Sequence, residues 1–84
     1  MPLPDKIQRY YFGSTIPTEL QDFDVNGNLI YEGYSMPGVP ETTAGFVIIK
    51  HVYQVNSTTG LEQDIYDSFL PGVVWILRST YAYP

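Results

Sequence analysis

Two short runs, Phe46-Val-Ile-Ile49 and Val73-Val-Trp-Ile-Leu77, are apolar at every position. Successive side chains of a strand point to opposite faces, so either run, read as a strand, is hydrophobic on both sides. Within residues 46–55 one face carries Phe46, Ile48 and Val52, and the other carries Val47, Ile49, Tyr53 and Val55. In the C-terminal run Val73, Trp75, Leu77, Tyr81 and Tyr83 point one way; Val74, Ile76, Arg78, Thr80 and Ala82 point the other. Strands with one wet face alternate apolar and polar residues, whereas doubly apolar strands are covered on both sides. The chain has only 84 residues, enough for one small domain. A domain of that size rarely covers both faces of a sheet by itself. Burial against a partner is therefore expected ahead of a self-contained barrel with a Tyr-rich outside.

Turn chemistry sets the class. Asn26-Gly27 stands between Gln21-Asp-Phe-Asp-Val25 and Leu29-Ile-Tyr-Glu-Gly-Tyr-Ser-Met36, a strong hairpin signal because both turn residues tolerate positive φ. Two prolines and two glycines make residues 36–45 a loop, and Asn56-Ser-Thr-Thr-Gly60 turns the 46–55 strand back into 61–67. Leu70-Pro-Gly72 reads as a further break before a last strand over 73–83. No sustained i, i+3, i+4 stripe supports a helix, and 64–69 has room for one turn at most. The expectation is an all-β single domain: a small β-sandwich or partly open barrel of about five strands joined mainly by hairpins. Residues 1–15, with the aromatic stretch Ile7-Gln-Arg-Tyr-Tyr-Phe12, are read as an extended N-terminal arm, and residues 16–84 as the β domain.

Composition removes whole classes of function. Cysteine is absent, which excludes disulfides, thiolate chemistry and Cys-based zinc sites. A small domain without staples commonly relies on assembly. Nine acidic residues oppose four scattered basic ones, for a net charge of −5, so no phosphate-binding stripe exists and nucleic acid is not expected as a partner. The apolar runs fall far short of the roughly 20 residues of a membrane-spanning helix. Met1-Pro-Leu-Pro-Asp-Lys6 lacks the apolar stretch of a signal peptide, so synthesis in a cytoplasm without export is expected.

Sites with chemistry are sparse. Asp22-Phe-Asp-Val-Asn-Gly27 resembles the start of a calcium loop, but Gly33 stands where the bidentate Glu is needed, and a hairpin turn explains the Asn-Gly pair without an ion. His51, the only histidine, has no triad partners at a recognisable spacing and reads as a surface or interface residue. Glu62 and Asp64, two apart, share a strand face and read as a solvated pair. There is no Gly-rich phosphate loop, and Asn56-Ser57-Thr58 reads as a polar turn. No catalytic residue, cofactor or metal ligand is assigned.

Aromatic residues carry the remaining signal, at 15% of the chain with eight tyrosines. Tyr is rigid and amphipathic, which suits interfaces and sugar-stacking surfaces alike. Tyr10, Tyr11 and Phe12 in the arm, with Tyr81 and Tyr83 at the far end, are the subunit-interface candidates. Phe46, Ile48, Val52, Trp75 and Leu77 are the core candidates. Tyr31, Tyr34 and Tyr53 are the alternative, as stacking platforms for a carbohydrate.

The order of these features resembles a group of small structural proteins of tailed bacteriophages. The shared pattern runs from Asn26-Gly-Asn-Leu-Ile-Tyr-Glu-Gly33 through Pro37-Gly38, Ile49-Lys50 and Tyr53 to Phe69, Val74-Trp75, Arg78 and a Tyr-x-Tyr end. The likeness covers residues 23–83. Val47-Ile48 and Ile65-Tyr66 depart from it, since a Trp is expected near each, and the first twenty residues have no counterpart. The resemblance implies a non-enzymatic virion protein, in head decoration, neck or tail, with other virion proteins and copies of itself as partners and no nucleic acid or membrane. A carbohydrate- or receptor-binding module at a tail or fibre is the alternative.

Overall fold

The computed structural model describes residues 4–84. Four strands, β1 (Thr18–Phe23), β2 (Leu29–Ser35), β3 (Ala44–Val55) and β4 (Glu62–Val74), form one open antiparallel sheet in the order β1-β2-β3-β4. The all-β expectation holds, and each connection joins neighbours as the turn signals required. Among the described residues the sheet neither closes into a barrel nor packs on a second sheet. β4 does not stop at Leu70-Pro-Gly72: Ile48 pairs with Leu70 and Phe46 with Val73, so Pro71 and Gly72 together stand opposite Val47, a bulge of one extra residue. An edge strand tolerates the missing N–H of Pro71, and Gly72 takes the positive φ of 70° that the bulge needs.

The two ends of the chain depart from the strand reading. Of the arm placed at 1–15, residues 1–3 lie outside the described residues, and the rest is not extended. A helical turn (α1, Asp5–Ile7) runs into a π-helical segment (Gln8–Phe12) that stops at Gly13, whose φ is 56°. The last strand expected over 73–83 ends at Val74 and gives way to a 3-10 helix, Trp75–Thr80. Both changes have one cause, the doubly apolar centre of β3. Phe12, with Ile7 and Tyr11, covers Tyr34, Val47 and Ile49 on one face of the sheet. Trp75, with Val73 and Tyr83, covers Tyr31, Phe46 and Ile48 on the other. A helical turn lays its side chains down on a sheet, whereas an added strand would only extend the sheet and leave the faces wet. The second face is thus covered by the chain's own ends.

Trp75 lies directly over Gly33. A Cβ at that position would stand 2.4 and 2.5 Å from two carbons of the indole ring. Arg78 then clamps the 3-10 helix, with its guanidinium 4.5 Å from the centre of the Trp75 ring and its Nε donating to Asp22 of β1 at 2.9 Å. The Tyr83 hydroxyl donates to the Arg78 carbonyl at 2.8 Å, and its ring leans on Tyr31. Of the core candidates, Phe46, Ile48 and Trp75 are buried. Val52 and Leu77 are not, at 36% and 44% exposure. Val52 lies past the end of the β2 pairing, and Leu77 leaves the face once the chain turns helical.

Gly33→Ala should lower stability by about 1–3 kcal/mol, the usual cost of overpacking a filled core. The loss should be partly restored by pairing it with Trp75→Leu, which removes the ring the new methyl meets. Urea denaturation of the single and double variants measures both; an unchanged midpoint for Gly33→Ala would contradict the packing.

Candidate functional site

β2 reaches only as far as Lys50 of β3, where Tyr31 pairs with it. Beyond that point β3 and β4 continue as a two-stranded ribbon, and polar groups gather at its base. His51 is buried on the face that also holds Val47 and Ile49, with its Nε2 2.5 Å from Glu32 Oε1. Glu32 is buried in β2, and its other oxygen accepts from the Tyr34 hydroxyl at 2.5 Å. The same hydroxyl lies 2.9 Å from Glu19 on β1. On the other side of the ring, Nδ1 lies 2.7 Å from Asp67 and 2.9 Å from Asp64, both on β4. A continuous polar line therefore crosses the sheet from Glu19 through Tyr34, Glu32 and His51 to two aspartates.

The arrival of both aspartates on one face is a local backbone effect. Residues three apart in a regular strand point to opposite sides. Here His51 pairs with Asp67 and Tyr53 with Asp64, so Ile65 is an extra residue that reverses the alternation. The bulge brings Asp64 and Asp67 together over the imidazole.

Charge and proton counting define what this line can do. Four carboxylates, Glu19, Glu32, Asp64 and Asp67, face one imidazole and one phenol. Burial alone opposes a charged imidazole, but hydrogen bonds to Glu32, Asp67 and Asp64 outweigh it, and the His51 pKa lies above its ordinary 6.5. Asp64 is pushed above the ordinary carboxylate range by burial, then by its hydrogen bond to Asp67, against the lowering effect of His51. The Tyr34 hydroxyl is held well above its usual range, first by burial and then by Glu32 and Glu19. The site thus gathers negative charge in excess of what one imidazolium neutralises, with protons shared between the groups.

His51 is not the surface residue the sequence suggested, and Asp64 is not simply solvated. Glu62 is separate, accepting from the side chains of Asn26, at 3.1 Å, and Asn28 of the β1–β2 loop. In that loop Asn26 keeps a negative φ and only Gly27, at 84°, is left-handed, so the connection is a five-residue loop and not a two-residue turn. Asp24 Oδ1 accepts from the backbone N–H groups of Asn26 and Asn28, at 2.8 and 2.9 Å, while Asp22 serves Arg78. The residues resembling a calcium loop are engaged in folding the hairpin.

The aromatic candidates separate. Phe12 belongs to the core, Tyr11 packs half-buried against it, and Tyr10 stands out at 82% exposure. Tyr81 accepts the Val74 N–H at 2.9 Å and Tyr83 covers Tyr31, so both hold the C-terminal segment to its own sheet. Tyr31 and Tyr34 are buried, and Tyr53 donates to the Leu29 carbonyl at 2.8 Å. Tyr31 and Tyr34 offer no open ring face for stacking a sugar. Compared with known proteins, the chain matches no family, no curated protein and no solved structure.

Because His51 and Asp64 both have raised pKa values, folding takes up protons and the network is stronger in its protonated form. A raised histidine contributes stability that is fully present below its unfolded value of 6.5 and is lost as pH rises through the folded value. With a chelator present, Tm should fall as pH is raised from about 6 to about 9. His51→Gln should flatten that slope; a Tm that rises over the same range would contradict the assigned charges.

Proposed function

We propose that this protein is a non-enzymatic structural component of a tailed-phage virion that holds neighbouring subunits together as head decoration, neck or tail material. The observation carrying this reading is the unequal division of the sheet. The half around Phe46–Ile49 is sealed on both faces by the chain's own ends, whereas the far half ends in a ribbon bordered by an edge strand. β4 is 13 residues long and lies at the edge of the sheet, presenting a row of backbone donors and acceptors. Along the ribbon Val52, Val55, Leu61 and Ile65 are exposed. A two-stranded ribbon has little stability of its own in water, and strand addition along such an edge supplies both hydrogen bonds and apolar cover. The molecule is elongated, 43 Å along its main axis against 25 and 22 Å across it, which suits reaching a neighbour.

The virion assignment draws on the likeness of residues 23–83 to small tailed-phage structural proteins. The partners are then other virion proteins and copies of this chain, met in the host cytoplasm where particles assemble. Among the described residues no helix is long and apolar enough to cross a membrane.

Val55→Lys and Leu61→Lys test the proposal. Both side chains are more than half exposed, so the isolated domain should keep its stability to within about 0.5 kcal/mol. Light scattering over a concentration series should show a defined oligomer for the unaltered chain, and the variants should shift it to monomer. Incorporation of tagged variants into particles should fall in parallel. A monomer at every concentration, with variant incorporation equal to that of the unaltered chain, would overturn the assembly role.

A further inference from the structure

We propose that His51, Asp64 and Asp67 form a binding site for a first-row divalent cation of the zinc type. The site is independent of the assembly reading. The His51 Nδ1, one oxygen of Asp64 and one oxygen of Asp67 all lie within 4.8 Å of one another. The imidazole is buried, with its side chain only 3% exposed, and Glu32 on its far nitrogen is 1% exposed. That carboxylate accepts the Nε2–H, so a cation that replaces the Nδ1 proton would take the Nδ1 lone pair on the side of the aspartates. A histidine ligand oriented from behind by a buried carboxylate is the arrangement that raises its basicity toward a metal. Glu32 is fixed in turn by the Tyr34 hydroxyl at 2.5 Å.

The distances are those of hydrogen bonds, and a small ion would take the place of the Nδ1 proton. Two carboxylates lie 2.7 and 2.9 Å from a single ring nitrogen, which carries at most one hydrogen. Around a cation with bonds of about 2.0–2.2 Å, donor atoms stand about 3.0–3.5 Å apart, so seating one moves both aspartates outward from Nδ1. Their side chains are 35% and 47% exposed, which gives them that freedom and leaves further coordination positions facing water. One imidazole with two carboxylates selects a borderline ion of the zinc class, since magnesium and calcium take six or more oxygens and gain little from nitrogen. The donors come from β3 and from both sides of the Ile65 bulge, so a bound ion would tie the base of the ribbon together.

The test uses the untagged chain, because His51 is its sole histidine. After chelator treatment and dialysis, titration calorimetry with zinc chloride should show one equivalent bound per chain, with no comparable signal from magnesium. Asp67→Asn and Asp64→Asn should each weaken zinc binding tenfold or more, with circular dichroism confirming that the sheet is retained. In nitrogen-15 spectra of the unaltered chain, zinc should move the Nδ1 resonance while the Nε2–H signal stays bound to Glu32. No saturable zinc binding, binding unchanged in both folded variants, or a shift confined to Nε2 would each overturn the site. Should a variant fail to fold, the imidazole resonances of the unaltered chain decide alone.

Discussion

The contact of Trp75 with the bare backbone of Gly33 is the point from which the rest of the packing follows. β3 is apolar on both faces through Phe46–Ile49, and a single four-stranded sheet offers nothing to cover either face. The chain resolves this with its ends. On one side the indole approaches β2 at a distance only glycine permits, and it brings Val73 and Tyr83 with it. On the other, a helical turn carries Phe12 onto Tyr34, Val47 and Ile49. Arg78 locks the first of these closures by joining the Trp75 ring to Asp22, the far side of the sheet. Both faces are covered within 84 residues because the two ends turn Phe12 and Trp75, with Tyr11 and Tyr83 beside them, onto the sheet.

What was legible in the sequence was the sheet and its turns. Alternation and Gly–Asn–Pro punctuation located β2, β3 and the two hairpins, and the double apolarity of β3 correctly implied cover on both sides. What covers it is not visible in the sequence, for a definable reason. Residues 73–83 alternate as a strand would, and a 3-10 helix is too short to display a helical period. The Tyr-Tyr-Phe stretch was likewise indistinguishable from an arm reaching a neighbour, because burial of Phe12 depends on where the turn at Gly13 sends the chain.

The polar line was less legible still. One signal was present: Glu32 and His51 interrupt otherwise apolar strands, and a charge in a strand covered on both sides must find a partner. Which partner depended on the bulge at Ile65. Counting by twos along β4 places Asp64 and Asp67 on opposite faces, and only the extra residue brings both to the imidazole. An irregularity of one residue thus decides whether the cluster exists.

The bulge also joins the two halves of the molecule. Toward Phe46 the sheet is stabilised by apolar burial, which needs no outside help. Toward Val55 that support ends, and the chain substitutes charged groups whose mutual repulsion is relieved by a proton or a cation between them. Buried ionic groups contribute less net stability than apolar packing of the same volume, but they make it conditional. The ribbon that carries the exposed Val55 and Leu61 therefore stands on a base whose firmness depends on what neutralises Asp64 and Asp67. On the assembly reading proposed above, the conditional part of the fold lies beside the exposed ribbon that would meet a neighbour, while the part that keeps the chain folded stays apart from it.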